Sequence, residues 1–377
     1  MSLIITLSRE DLLSALAPLL NITGKKGTMA ILSNVLLESG ENSVLFTGTD
    51  LETGIRIRKP AEVSGAGSIT LPTRKLFEIA RESDSQHLRL EEKEKSWVRI
   101  SAGSAKYNLS GMESAEYPSF PAYDDTLLVS LSSSVFQDLI DKTIFSVASE
   151  KESQFNLTGV LLEKESDSSG KSFLRMISSD GHRLSFMEKE IENEIKSEEN
   201  INRFLVPKRG VQEIRRISDL YKNFFIGLEK TQLIVKTEDS LIVVRLMTGD
   251  FPDYRRLKEN IKLEKDFKIK KEKLLNSLKR INLFTEDSFN SVRFVFEENK
   301  LKLSSQNADM GNANDELEIE NSGEKIDLGF NGRYFIETLQ VMNSETVSLF
   351  INSEESPCLI SGEEDRGFIS IIMPMKL

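Results

Sequence analysis

The sequence predicts an α+β protein in which three similar domains follow one another, each with two helices packed on antiparallel sheets. Three observations carry that expectation. An amphipathic helical pattern stands near the start of each third: Leu12, Leu13, Leu16 and Leu19; then Phe136, Leu139, Ile140 and Ile144; then Leu274, Leu275, Leu278 and Ile281. That spacing places apolar side chains on one face of a helix. In the middle of each third a strand-like run turns into a helix, at Ile69 to Lys75, Phe204 to Arg209 and Leu328 to Arg333. Each third closes on an aromatic or apolar residue followed by proline: Tyr117-Pro118, Phe251-Pro252 and Met373-Pro374. A period of about 120–140 residues is a domain copied in tandem, since a solenoid unit is only about 20–50 residues long.

The middle third serves as the template. Leu131 to Ser134 offers hydroxyl caps before an apolar helical run that reaches toward Val147, as Ser and Thr favour helix starts. Gly159 to Leu162 and Phe173 to Ile177 read as two strands around the polar turn Asp167 to Lys171. Asp180-Gly181 signals a turn before the strand Leu184 to Met187. Phe204 to Val206 is a further strand. Pro207 suits the first turn of a helix, and Val211, Ile214, Ile217 and Leu220 give that helix its apolar stripe. Strands follow at Asn223 to Leu228, Gln232 to Lys236 and Ser240 to Met247. The outer thirds match: Asn34 to Leu37 and Val292 to Phe296 correspond to the first strand, Val44 to Thr47 and Leu301 to Ser304 to the second. The links Tyr117 to Asp125 and Phe251 to Lys258 are short and proline-stiffened.

Composition narrows the function. The chain has 377 residues, 29% of them charged and 39% apolar, which suits a soluble protein with cores. No run of about 18 apolar residues is present. The strand-like Leu3 to Leu7 lacks the basic and apolar regions of a signal peptide, so a cytoplasmic protein is expected. A single cysteine, Cys358, excludes an internal disulfide and a multi-cysteine zinc site, and reads as a small buried apolar residue.

Catalytic equipment is missing from the pattern. His87 sits in the polar run Ser83 to His87 and reads as solvated. His182 follows Asp180-Gly181; residues two apart do not face each other well, and no Gly-x-Ser-x-Gly elbow accompanies them. A turn histidine bonded to backbone is expected instead. Phosphate-binding glycine loops, dinucleotide fingerprints and metal-ligand sets are absent, so no catalytic residue, cofactor or metal is expected. Acidic clusters such as Glu363-Glu364-Asp365 read as solvated loops. The chain reads as a binding or scaffolding protein.

The net charge of -11 alone argues against nucleic acid. Its distribution argues otherwise. Acidic residues cluster at 91–92, 188–199, 316–324 and 363–365. Basic ones gather on the expected helices: Arg74, Lys75 and Arg81; Lys208, Arg209, Arg215, Arg216 and Lys222; Lys270, Lys271, Lys273, Lys279 and Arg280. Recurrence in all three thirds points to one basic surface that contacts phosphates without reading bases.

Asp180-Gly181-His182-Arg183-Leu184, Val206-Pro207-Lys208-Arg209-Gly210, Phe251-Pro252-Asp253-Tyr254-Arg255-Arg256, Gly329-Phe330-Asn331 and Met373-Pro374-Met375-Lys376-Leu377 resemble, in order and spacing, the bacterial sliding clamps, the beta subunits of DNA polymerase III. The resemblance covers nearly the whole chain. It implies the DNA-clamp fold, with domains at 1–124, 125–256 and 257–377, and a head-to-tail homodimeric ring whose basic helices face duplex DNA. It implies a non-catalytic processivity factor that tethers the polymerase, clamp loader and repair proteins through short peptide motifs. A repeat-built interaction scaffold with no nucleic-acid role is the alternative.

The resemblance also implies sites. Partner peptides would bind at Leu157, Ser179, Gly181, His182, Arg183, Leu184, Pro252, Arg256, Leu257, Phe289, Asn331, Tyr334, Met373, Pro374, Met375, Lys376 and Leu377. DNA would meet Lys25, Lys26, Arg74, Phe155, Lys208, Arg209, Arg215 and Lys279. The ring seam would join Lys106, Tyr107 and Leu109 of one copy to Leu283, Phe284, Asp315 and Glu316 of another. This chain departs from the family pattern at Lys376, where arginine is common, and at Phe155-Asn156, where some members carry paired tyrosines. Lys25-Lys26-Gly27 replaces an arginine-proline turn.

Overall fold

The computed structural model describes residues 2–24, 29–149, 155–197, 201–261, 263–286, 289–319 and 325–376, without the side chains of Lys95 and Phe155. Among the described residues the helices are α1 (Arg9–Thr23), α2 (Thr73–Arg81), α3 (Ser133–Asp141), α4 (Lys208–Ser218), α5 (Tyr254–Asn260), α6 (Lys271–Ile281) and α7 (Gly332–Val341). The apolar spacings do set their buried faces. Leu12, Leu16 and Leu19 of α1, Phe136, Leu139 and Ile140 of α3, and Leu274, Leu275, Leu278 and Ile281 of α6 are all buried. Local chemistry starts several of them. The Ser8 hydroxyl accepts from the Asp11 N–H at 3.0 Å to cap α1, and the Asn331 side chain accepts from the Arg333 N–H at 3.0 Å to cap α7.

The chain forms two compact units, and neither coincides with a third of the sequence. The first comprises Met1–Phe136, Asn193–Ile201 and Arg209–Leu246. It holds a five-stranded sheet, in the order Glu62–Gly65, Ile4–Ser8, His87–Glu92, Trp97–Ala102 and Ala105–Ser110. Its eight-stranded sheet runs Val129–Ser132, Asn223–Leu228, Gln232–Lys236, Ser240–Arg245, Thr53–Pro60, Ser43–Thr49, Asn34–Ser39 and Ser68–Pro72. A ladder pairing Ser240 with Ile57 and Val244 with Thr53 joins first-third strands to middle-third strands.

The second unit comprises Gln137–Glu192, Asn202–Lys208 and Met247–Leu377. Its eight-stranded sheet runs Arg203–Pro207, Gly159–Ser166, Ser172–Ser179, Arg183–Ile191, Phe368–Ile372, Cys358–Gly362, Thr346–Phe350 and Asp266–Lys270. Here Arg183 pairs with Ile372 and Met187 with Phe368. A four-stranded sheet runs Gly311–Glu318, Lys300–Asn307, Ser291–Glu297 and Ile326–Asn331. The ladders of all four sheets are antiparallel, as expected for an α+β chain. Fully buried Phe294, Phe296, Phe330 and Phe335 pack as one aromatic cluster, with the Phe294 and Phe330 rings edge to face at 5.3 Å.

The link after Phe251 holds α5, capped by Asp253, whose carboxylate accepts from the Arg256 N–H. Three local expectations need correction. The apolar run from Phe136 does not continue as one helix to Val147. It leaves α3 at Asp141 and re-enters as a short 3₁₀ turn at Ile144–Ser146. His87 opens a strand rather than sitting in a loop, though it is exposed. Asp365 is not solvated: it is 1% exposed. It accepts from Lys142 Nζ at 2.6 Å, from the Ser344 hydroxyl at 2.6 Å and from the N–H groups of Asn343 and Ser344 at 2.9 Å.

Candidate functional site

The turn that bears His182 follows from short-range chemistry. Asp180 Oδ1 accepts from the N–H groups of His182 and Arg183, each at 3.0 Å. The Ser179 hydroxyl accepts from the Gly181 N–H at 3.1 Å and donates to the Arg183 carbonyl at 2.7 Å. Gly181 takes φ +90°, the left-handed region open to glycine. Beyond the turn, the strand Arg183–Ile191 pairs with Phe368–Ile372, and the chain's last residues continue past it. The Met373 N–H donates to the His182 carbonyl at 2.9 Å, and the Met375 N–H to the Gly329 carbonyl at 2.8 Å. The tail is thus tied to both sheets of the second unit at alternate residues.

That tail walls a groove of about 880 Å³. His182, Phe289, Asn331, Tyr334, Met373, Pro374, Met375 and Lys376 line it, all from the sequence-derived set. Glu286, Ser291 and Gln306 also line it and were not anticipated. Ser291 and Gln306 lie on the paired strands Ser291–Glu297 and Lys300–Asn307, so only that pairing brings them to the groove. Glu286 carries no sequence signal of its own.

The other expected residues fall into distinct places. Leu157 and Leu184 are buried in a cluster with Ile177, Phe186, Leu205, Phe251, Tyr254 and Ile371, and Leu257 packs against it half-buried. Pro252 and Arg256 are exposed at the start of α5. The Tyr254 hydroxyl in this cluster donates to Glu163, and burial pushes its phenol above the ordinary range. Ser179, Gly181 and Arg183 build the turn rather than line the groove. Leu377 lies outside the described residues. In sum the arrangement has exposed methionine, proline and aromatic surface beside a histidine, an asparagine and a lysine. It can take an extended apolar segment and fix its backbone.

The expected DNA contacts divide likewise. Arg74 on α2 and Lys279 on α6 are exposed, opposite their helices' buried stripes. Arg215 on α4 is ion-paired with Asp219 one turn on. Arg209 is engaged internally: it pairs with Asp50 and donates to the carbonyls of Asn21 and Ile22 at the end of α1. That is a favourable place for a cation, because the last carbonyls of a helix lack partners. Lys208 is half-buried, its amine held below the usual range by burial and then by the Arg183 charge. Lys25, Lys26 and the Phe155 side chain lie outside the described residues.

The expected seam residues stand at sheet edges. Lys106, Tyr107 and Leu109 lie on Ala105–Ser110, the edge of the five-stranded sheet. Asp315 and Glu316 lie on Gly311–Glu318, the edge of the four-stranded sheet. Leu283 is 71% exposed and Phe284 half-buried. Both carboxylates already have cations of their own chain: Asp315 pairs with Arg280 and accepts from the Ser277 hydroxyl, and Glu316 pairs with Lys300 at 3.0 Å. Among the described residues no helix is long and apolar enough to cross a membrane.

Comparison with known proteins bears on the whole chain. Residues 3–121 match the N-terminal domain of the DNA polymerase III beta subunit, residues 130–253 its central domain and residues 261–376 its C-terminal domain. The beta sliding clamp of Chlamydia trachomatis is 29% identical over 98% of this chain and 86% of its own. The crystal structure of the DNA polymerase III subunit beta from Pseudomonas aeruginosa superposes with a TM-score of 0.90 at 25% identity, over 100% of both chains. A sliding clamp from the same organism, bound to griselimycin, gives 0.89 at 25% identity, again over 100% of both.

Proposed function

Because the chain belongs to the DNA polymerase III beta-subunit family, we propose that two copies close head to tail around duplex DNA and carry partner proteins in the groove of the second unit. The chain is a sliding clamp, a non-catalytic processivity factor of DNA replication. The observation that carries the groove reading is the pinned tail. Met373 and Met375 donate to His182 and Gly329, so backbone hydrogen bonds hold residues 373–376 as one wall of an apolar groove. Polymerase, clamp loader and repair proteins would insert short segments with apolar anchors there. Leu157, Leu184 and Leu257 form the neighbouring apolar cluster that would receive one such anchor.

Helices α2, α4 and α6 each bury an apolar stripe and turn arginine or lysine outward. Such side chains contact phosphates and leave base edges unread, which suits sliding. Arg74 and Lys279 are the strongest candidates of the set. Arg209 supports α1 instead, on the contacts described above. For the seam, two open strand edges, Ala105–Ser110 and Gly311–Glu318, would pair between copies, with Leu283 and Phe284 covered there. Domain limits at 1–124, 125–256 and 257–377 would then place each eight-stranded sheet across a junction. The protein would act in the cytoplasm.

Loading onto nicked circular DNA tests the ring. The loaded protein should survive a high-salt wash and leave once the circle is cut. Salt-induced loss from intact circles would mean ordinary counterion-driven binding. Phe284→Asp should sediment as a monomer and fail to stay on circles.

A further inference from the structure

We propose that Glu337 is a positioning residue for partner binding: through Arg183 it holds the Tyr334 ring that walls the groove and the turn that carries His182. This rests on the groove being the partner site.

Arg183 is 8% exposed, and each arm of its guanidinium is used. Nε donates to Asp180 Oδ2 at 3.0 Å, one terminal nitrogen donates to Glu337 Oε2 at 2.6 Å, and the other to the Phe145 carbonyl at 2.8 Å. The Tyr334 ring lies over the guanidinium at 4.3 Å, and the Phe145 ring lies at 5.4 Å. A cation under an aromatic face holds that ring by its quadrupole, more strongly where water is excluded. The guanidinium therefore helps hold the Tyr334 ring in place, and Tyr334 lines the groove. The groove is not lined by Glu337 itself.

Glu337 is fixed from its own helix as well. Its Oε1 accepts from Arg333 Nε at 2.9 Å, one turn earlier on α7. Tyr334 and Glu337, three residues apart, share a helix face. Charge balance adds to the argument. Arg183, Arg333 and Lys208 are the local cations, and Lys208 lies close enough to feel Arg183, Glu337 and Asp180. Without Glu337, Asp180 would be the carboxylate left beside Arg183. Removing one partner of a buried, hydrogen-bonded charge is costly, and here it leaves Arg183 with a single carboxylate. The guanidinium would shift toward Asp180 and away from Tyr334, and the turn beneath His182 would follow.

The experiment measures binding of a fluorescein-labelled hexapeptide with leucine and phenylalanine anchors, by anisotropy, to the full chain. Glu337→Ala should weaken binding on the order of tenfold. Glu337→Gln keeps an acceptor for Arg183 without the charge and should fall between wild type and Glu337→Ala. Tyr334→Ala should weaken binding too, and adding Glu337→Ala to it should change affinity less than about twofold, because the ring through which Glu337 acts is gone. If Glu337→Ala does not fold, Glu337→Gln alone and with Tyr334→Ala makes the same comparison. Unchanged affinity in Glu337→Gln and Glu337→Ala, or effects of the two sites that multiply in full, would overturn the inference. Deleting residues 373–377 is the control for the groove. A peptide that needs the tail but ignores Glu337 refutes only this inference. One that binds equally without the tail, or does not bind the wild type, refutes the groove reading and the inference with it.

Discussion

The turn at Thr49 to Thr53 in the first unit and the turn at Ser179 to Arg183 in the second are built alike and serve different ends. In each, an aspartate side chain accepts from two following N–H groups: Asp50 from Glu52 at 3.1 Å and Thr53 at 2.7 Å, Asp180 from His182 and Arg183 at 3.0 Å. In each, a hydroxyl one residue earlier donates to the carbonyl four residues on, Thr49 to Thr53 at 3.1 Å and Ser179 to Arg183 at 2.7 Å. In each, a later strand leaves the ladder by donating to the turn: Arg245 to the Glu52 carbonyl at 2.7 Å, Met373 to the His182 carbonyl at 2.9 Å. The difference lies in what comes next. After Arg245 the chain continues into further structure. After Met373, the residues Pro374, Met375 and Lys376 wall a groove. The same backbone device holds the wall of a groove in the second unit.

The arginine that braces each turn also differs. In the second unit Arg183, from the turn itself, pairs with Asp180; in the first, Arg209 of α4 pairs with Asp50. Besides these, the second unit holds a far more buried pair. Lys142 and Asp365 are 3% and 1% exposed, while the Arg209–Asp50 pair keeps some contact with water.

Asp365→Ala should therefore produce the largest loss, about 3–5 kcal/mol by denaturant unfolding, because it leaves a buried lysine with only its longer pairing to Asp138 at 3.4 Å. Asp50→Ala, losing a part-exposed pair, should cost about 1 kcal/mol more than its turn bonds alone. Equal losses at the two positions would break the comparison. Acid should sharpen it. Burial works to raise the Asp365 pKa, but Lys142, the Ser344 hydroxyl and the Asn343 and Ser344 N–H groups outweigh it, and the net shift is downward. A carboxylate depressed in the folded state contributes fully above its unfolded pKa of about 4 and loses that contribution as pH falls through the folded value. The gap between wild type and Asp365→Ala should therefore narrow below about pH 4.

Next in size is the tail. Deleting residues 373–377 should cut peptide affinity by about 30-fold or more, measured by anisotropy, and leave unfolding of the first unit unchanged. Undiminished affinity would place the partner site elsewhere. The smallest effect concerns the turns. Leu51 holds φ +76° and is 53% exposed, in the place that Gly181 fills with φ +90°. A left-handed non-glycine residue costs about 1 kcal/mol. Leu51→Gly should gain up to about 1 kcal/mol, less the extra freedom of the unfolded chain. Gly181→Ala should lose about 1 kcal/mol, since no atom crowds its Cβ and only the φ is unfavourable. Opposite signs at both positions would contradict the shared geometry.

Much of the candidate site was legible in the residues. The run from Asp180 to Leu184 and the Met373 to Lys376 tail identified two of its walls, because turn chemistry and motif spacing are local. Glu286, Ser291 and Gln306 were not legible, because ordinary polar residues reach the groove only through loop geometry and strand pairing. Glu337 was not legible either, since on α7 it reads as a surface carboxylate one turn from Arg333. In the set expected to meet DNA, Arg209 reads as one more cation on a basic helix, and its partners Asp50 and Asn21 lie far away in sequence.

The sequence by itself determined most of the helices, strands and turns, though not α5, the break after Asp141 or the strand at His87. Apolar periods of 3.6 and 2, capping side chains and glycine at positive φ act over a few residues, and those forces do not depend on distant chain. Only the tertiary structure decided that strands of successive thirds share one sheet, that Asp365 is buried against Lys142, and that Arg209 caps α1. Ladder hydrogen bonds are made by backbone atoms common to every residue, and an ion pair forms with whichever charge folding brings near. Neither leaves a mark in the order of the residues.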